Sequence, residues 1–296
     1  HTFGGPENLV YEDVPAPKPG PGEVVVAVAA AGVNPADYKF RNGMLAVAVP
    51  GLPFVPGMDI AGRVVALGDG VSSWKVGDRV MALLQLMGNG AYQEQVAVPV
   101  EWCAPTPDQL DDVTAAALPT PAITAFQLIE EGLKVGPGVR LLVVGAVGAV
   151  GRIACFAAQA QGAHVTAAVR RSQMADVVYA DASIALEDDF QATGHFDAIA
   201  DTVGGATATR FLPSLKAGGM LKTVATDPVL NPDNCDVAIE FFSNYTNAAV
   251  LERAALAVAS GELSIIPPTV MPLRQASNAH AALERGGAGK IVLTTE

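Results

Sequence analysis

Leu141-Leu142-Val143-Val144-Gly145-Ala146-Val147-Gly148-Ala149-Val150-Gly151 is the stretch that decides the fold. Four consecutive apolar residues suit a strand buried on both faces, as in a parallel sheet. Glycines then recur at every third position, and a helical pattern follows in which Ile153, Phe156 and Ala160 share a face. A strand that turns sharply into a helix through side-chain-free positions lets backbone approach a pyrophosphate. The helix start then offers it unpaired N–H groups and the positive end of a dipole. The spacing is G-x-x-G-x-x-G, not the commoner G-x-G-x-x-G, so the motif needs support from its surroundings.

That support comes one strand later. Val165 to Val169 reads as the second strand, and its end is where an acidic residue would take the ribose 2′-hydroxyl of NAD. Here it runs into Arg170-Arg171-Ser172, with no carboxylate. Two guanidiniums and a hydroxyl suit a 2′-phosphate, so the cofactor expected is NADPH. Gly145, Ala146, Gly148, Ala149, Val150 and Gly151 would hold the pyrophosphate, and Arg170, Arg171 and Ser172 the 2′-phosphate. Further apolar strands at Phe196–Ala200 and Met220–Ala225 alternate with helical segments, which implies a doubly wound parallel sheet.

Outside this region the texture differs. Residues 1 to about 115 carry short runs, Glu23–Val28, Ile60–Leu67, Arg79–Leu84 and Tyr92–Val98, broken by Pro and Gly, which suggest an antiparallel barrel or sandwich. Pro15-Ala16-Pro17-Lys18-Pro19-Gly20-Pro21-Gly22 excludes helix and central strand, since proline removes backbone donors. A helix is expected over Ala122–Leu133. After Gly261 a short apolar strand with Pro267-Pro268, a helix near Gln275–Arg285 and a last strand over Lys290–Thr294 return to the first texture. The expected domains are therefore 1–115 with 265–296, and 116–264.

Composition narrows the function. Of 296 residues half are hydrophobic and 16% charged, which argues against disorder. The net charge of −12 opposes a nucleic-acid partner, which would need a basic surface. No apolar run approaches the roughly 20 residues of a membrane span. Cys103, Cys155 and Cys235 are odd in number and scattered, so a cytoplasmic, reducing setting is expected rather than a disulfide framework.

The chain resembles the zinc-free quinone oxidoreductase branch of the medium-chain dehydrogenase/reductase superfamily. The likeness is carried by Phe3-Gly4-Gly5-Pro6-Glu7, Pro19-Gly20-Pro21-Gly22-Glu23-Val24, Ala31-Gly32-Val33-Asn34-Pro35-Ala36-Asp37-Tyr38-Lys39 and Pro56-Gly57-Met58-Asp59-Ile60-Ala61-Gly62. It continues through Val76-Gly77-Asp78-Arg79-Val80, Gly90-Ala91-Tyr92, Leu118-Pro119 to Phe126, Asp201-Thr202-Val203-Gly204-Gly205 and Gly289-Lys290-Ile291-Val292-Leu293. The resemblance implies an α/β protein: a GroES-like β-rich catalytic domain interrupted by a Rossmann domain with a doubly wound parallel sheet. It also favours a homodimer through the cofactor domains.

Zinc-dependent members have Cys where this chain has Asn34, and a His-Glu pair where it has Met58-Asp59. Their four-cysteine loop has no counterpart in residues 85–91. No metal is therefore expected, and His164 and His195 read as packing or surface residues. Without a Lewis acid, charge growing on a simple ketone oxygen goes unassisted, whereas conjugation in quinones and enones spreads it. The expected reaction is hydride transfer from NADPH to a quinone or similar conjugated carbonyl. The alternatives are an enoyl reductase acting on α,β-unsaturated carbonyls and a non-catalytic NADPH binder.

Matching positions imply roles near the reacting atoms. Asn34 would bind the nicotinamide carboxamide or the acceptor, and Thr124 would fix the nicotinamide face. Lys39 would donate to an enolate-like oxygen, with Tyr38 and Tyr92 as alternatives. Asp37 is read as a turn residue or one positioning Asn34 rather than as an acid, Asp201, Val203 and Gly204 as a cofactor-facing strand end, and Lys290 either as a cofactor neighbour or as an exposed charge. One departure stands out: the family's helix after Met174 is shortened here, so the next strand must lie near Ser183 to leave the dozen or so residues a parallel crossover needs.

Overall fold

The computed structural model describes residues 1–49, 51–85, 90–188 and 195–295. The loop reading at 85–91 therefore lies largely outside the described residues. By internal contact the chain forms two compact units, His1–Thr120 with Thr246–Glu296, and Pro121–Tyr245.

In the first unit β1 (Glu23–Val33) is the central strand. It pairs antiparallel with β2 (Asp59–Leu67), β4 (Gln95–Pro99) and β13 (Ile291–Thr294). The sheet extends through β3 (Arg79–Leu83) to β5 (Cys103–Pro105) on one side, and through β13 to β12 (Thr269–Pro272) on the other. Val24, Val26 and Val28 from β1 meet Ile60, Val64, Val80 and Val96 in one buried cluster. Each such side chain contributes roughly 1.5–3 kcal/mol when fully buried. The proline stretch from Pro15 stays outside regular structure, as its missing donors require.

Short helices close this unit. They are α1 (Pro35–Arg41), α2 (Asp112–Ala116), α6 (Ala248–Ala259) and α7 (Ala276–Glu284). Residues 246–264, placed with the cofactor half on sequence, group here by contact, because α6 packs on β5 and buries Leu251, Ala254 and Ala255. The expected strand at Pro267-Pro268 begins only at Thr269, whose N–H donates to the Lys290 carbonyl, a bond that proline cannot make.

The second unit is a parallel sheet in the order β11-β10-β9-β6-β7-β8. Its strands are β6 (Arg140–Val144), β7 (His164–Val169), β8 (Ala182–Ala185), β9 (Phe196–Asp201), β10 (Leu215–Thr223) and β11 (Val237–Phe241). β8 spans Ser183, as the shortened crossover requires, and a 3-10 helix at Arg171–Asp176 replaces a full helix. The reversal of strand order between β6 and β9 marks the crevice where such sheets bind ligands.

The helices of this unit are α3 (Pro119–Gln127), α4 (Ala149–Ala160) and α5 (Gly205–Thr209). The expected helix over Ala122–Leu133 starts earlier and widens at Leu128–Gly132 into a π turn. The face assigned to α4 needs correction. Ile153 is buried, but Phe156 is half-buried and Ala160 exposed, while Ala154, Cys155, Ala157 and Ala158 are buried. α4 is covered by the sheet on one side and by the π turn on another, so its apolar arc is wider than one stripe.

Candidate functional site

The first constellation lies where β6 turns into α4. Gly145 adopts φ +83°, and a Cβ there would come within 2.4 Å of Thr202 Oγ1 and 2.8 Å of Val203 Cγ2. A Cβ on Gly151 would sit 2.2 Å from the Gly145 carbonyl oxygen, so α4 can approach the turn only because residue 151 lacks one. Gly148 is the N-cap of α4 and supplies no side-chain acceptor, which leaves the N–H groups at the helix start uncapped by any side chain. Ala149 and Val150 form that first turn, and Ala146 is buried beneath it. This cradle fits a dinucleotide pyrophosphate: the backbone is approachable, its donors are unclaimed by a cap, and the helix dipole points there.

The neighbouring strand ends complete this half. Arg170, Arg171 and Ser172 are exposed at the end of β7. Asp201, fully buried at the end of β9, accepts the N–H groups of Val203 and Gly204 at 3.0 Å. Its carboxylate therefore shapes the turn, with Gly204 at φ +81° at the start of α5. Thr202, which sequence reasoning did not single out, donates from Oγ1 to the Val144 carbonyl at 2.8 Å and ties the two strand ends together. Thr124 is buried in α3 of this unit and accepts from Asn244 Nδ2 at 2.7 Å. His164 is exposed, and His195 contacts Arg140 and lies edge-on to Phe196, so neither stands in this cradle.

The second constellation belongs to the first unit and gathers at the end of β1. Register places Gly32 opposite Asp59 on β2 and Val33 opposite Ile291 on β13. Asn34, the next residue, thus lies between Asp59 and Lys290. Asn34 Nδ2 donates to Asp59 Oδ2 at 2.8 Å and to Thr120 Oγ1 at 3.3 Å, and its Oδ1 accepts from Lys290 Nζ at 2.7 Å. Lys290 Nζ also reaches Asp59 Oδ2 at 2.9 Å, and Asp59 Oδ1 accepts from the Thr120 backbone and hydroxyl.

Two sequence-based expectations change. Lys290 is buried, so the exposed-charge reading of it is wrong. Both amide hydrogens of Asn34 are engaged, so it has none free to donate to an acceptor oxygen; one lone pair on Oδ1 remains for a carboxamide N–H.

Asn34 caps α1, and Pro35 opens the helix at a position where no amide hydrogen is needed. Asp37, three residues on, reaches back to accept the Asn34 N–H at 2.7 Å, which fixes where Asn34 points. Its other contact is Tyr92 Oη at 3.1 Å, and Tyr92 in turn meets His280 Nε2 at 3.1 Å. Tyr38 and Lys39 are half-buried on α1, with the Lys39 ammonium 5.8 Å from the Tyr38 ring centre.

Burial is the main cause of the titration behaviour. It pushes Asp37 up to about 7, holds Tyr92 well above the usual phenol range, and lowers His280 to about 3. A carboxyl whose folded value lies above its unfolded one binds more protons when folded, so its contribution to stability falls as pH rises toward 7. Between pH 6 and 8, where His280 is neutral when folded, Asp37→Asn should therefore remove about 1 kcal/mol of pH-dependent loss. Urea unfolding of both proteins at the two pH values measures it; parallel pH trends would contradict it.

Among the described residues no three His, Cys, Asp or Glu side chains converge as a metal site. Among them also no helix is long and apolar enough to cross a membrane.

Comparison with known proteins agrees with both halves. Residues 20–108 match the alcohol dehydrogenase GroES-like domain, and residues 173–293 match the zinc-binding dehydrogenase family. A chloroplast envelope quinone oxidoreductase homolog of Arabidopsis thaliana is 31% identical over 239 residues, covering 76% of this chain and 73% of the relative. The quinone oxidoreductase of Sus scrofa is 31% identical over 316 residues, covering 98% of this chain and 95% of the relative. The solved quinone oxidoreductase from Coxiella burnetii superposes with a TM-score of 0.89 at 28% identity, covering 99% of this chain and 97% of its own.

Proposed function

Because this chain belongs to the quinone oxidoreductase branch of the medium-chain dehydrogenase/reductase superfamily, we propose that it reduces a quinone or similar conjugated carbonyl with NADPH and without zinc. The observation that carries the reading is the glycine turn under the open start of α4, with Arg170 and Arg171 at the end of the adjoining strand. Gly145, Ala146, Gly148, Ala149, Val150 and Gly151 hold the pyrophosphate against backbone N–H groups. Arg170, Arg171 and Ser172 take the 2′-phosphate through charge-assisted hydrogen bonds.

Once bound, the reduced nicotinamide supplies hydride to the acceptor. Thr124 and Asn34 orient the ring, Asn34 by accepting from its carboxamide with the lone pair that Lys290 leaves open. Lys39 Nζ, or Tyr38 Oη beside it, donates to the oxygen on which charge gathers and passes it a proton. Asp59 and Lys290 keep Asn34 in register. Zinc is given no step: Asn34 and Asp59 stand where zinc-dependent relatives carry ligands, and an ammonium already lies against both, which opposes a second cation.

Replacing Arg170 and Arg171 together by alanine should weaken NADPH about 100-fold and NADH by less than about threefold, since two charged hydrogen-bond donors are lost from one ligand only. Isothermal titration with both nucleotides tests it, and equal losses would refute the 2′-phosphate assignment.

A homodimer and a cytoplasmic setting are part of the same proposal. β11 leaves a sheet edge bearing the exposed Phe241, and the three cysteines are free thiols. Light scattering at twice the chain mass is expected, and a monomer mass would count against the dimer. Recovery in the soluble fraction of lysed cells is likewise expected, and recovery with membranes would count against the setting.

A further inference from the structure

At the end of β7 the two arginines are not equivalent. Arg171 is paired with Asp188: its guanidinium meets that carboxylate, and its backbone N–H donates to Glu187 Oε2 at 2.8 Å. Among the described residues Arg170 has no ion-pair partner. The turn carrying these two carboxylates is itself anchored. Leu186 N–H donates to the Val169 carbonyl at 2.7 Å, and the Arg210 guanidinium grips the carbonyls of Leu186 and Asp188. Two carboxylates are thus fixed at the strand end where the ribose 2′ group is read.

We propose that the Glu187–Asp188 turn sets the preference between NADPH and NADH by competing with the 2′-phosphate for Arg171. This rests on the assignment of Arg170 and Arg171 to that phosphate. NADPH binding must break the Arg171–Asp188 pair and bring a dianion beside two carboxylates, whereas NADH meets no such opposition. Arg170 then carries most of the selectivity, and the chain takes both nucleotides with a moderate preference for NADPH. Because the pair is solvent-exposed, the competition is modest and readily tuned by substitution.

Asp188→Asn removes the charge and leaves the carbonyl that Arg210 holds. Isothermal titration should show NADPH binding about three- to tenfold tighter, with NADH unchanged within about twofold. In an Arg171→Ala background the same substitution should change NADPH affinity by less than about twofold, since its effect passes through that guanidinium. Unchanged NADPH affinity in Asp188→Asn, or an equal gain without Arg171, would overturn the proposal. Failure of the underlying assignment looks different: wild-type protein would bind NADH as tightly as NADPH, and Arg170→Ala would weaken both alike.

Discussion

Asp59→Ala is expected to lower the unfolding free energy by about 3–5 kcal/mol, because it strands a buried ammonium. The Asp59 side chain is fully buried and that of Lys290 only 6% exposed, so neither charge finds water in place of its partner. Asp59 also accepts from Asn34 Nδ2 and from the Thr120 backbone and hydroxyl, all of which lose their acceptor at once. The Asn34 amide would lose one of the three side chains fixing its orientation, so turnover should fall along with stability. Urea unfolding followed by circular dichroism gives the number. Asp59→Leu combined with Lys290→Met, which removes both charges, should recover much of it. A loss under about 1 kcal/mol in the single variant would show that the pair does not hold this corner.

Gly151→Val is expected to abolish measurable cofactor binding, at least about a 100-fold loss, equivalent to about 2.7 kcal/mol. The new Cβ would meet the Gly145 carbonyl oxygen at 2.2 Å, its carbon at 2.8 Å and the Ala146 Cα at 2.9 Å. All three are backbone atoms, so the strain is relieved only by moving α4 away from the turn, and its donors move with it. Overpacking of this kind also costs about 1–3 kcal/mol of stability. NADPH and NADH should be lost equally, because both carry the pyrophosphate; this separates the substitution from those at the arginines. Retained affinity within about threefold in a folded variant would contradict the pyrophosphate assignment.

How far these features can be read from sequence depends on how local they are. The β6 turn and α4 are legible because the apolar run, the glycines and the helical period are consecutive, and the arginines follow at the next strand end. Asp59, by contrast, is visible only as a residue standing where a zinc ligand is absent. Its bond to Lys290 joins positions 231 residues apart, and only the registers of β1 with β2 and β13 bring them together. No period or spacing announces such a pair, although two ionisable residues in otherwise apolar strand ends are a hint that each needs the other. Helix α6 and strand β11 are hidden for another reason: the short apolar run at Val237–Phe241 is flanked by the polar stretches Asn231–Asp236 and Ser243–Asn247, which leave the strand little period to read and blur the point where α6 begins. Thr202 acts through a strand-end carbonyl and Asp188 through an ion pair set by a turn, neither of which composition reveals.

Steady-state turnover of NADPH with a 1,4-quinone, set beside a simple unconjugated ketone and repeated after exhaustive chelation, tests the central claim most directly. The account predicts rapid quinone reduction, negligible ketone reduction, and rates unchanged by the chelator. Reduction of an enone but no quinone would move the substrate to the enoyl class. Loss of activity on chelation with recovery on adding zinc, or absence of turnover with every conjugated acceptor despite tight NADPH binding, would contradict the account.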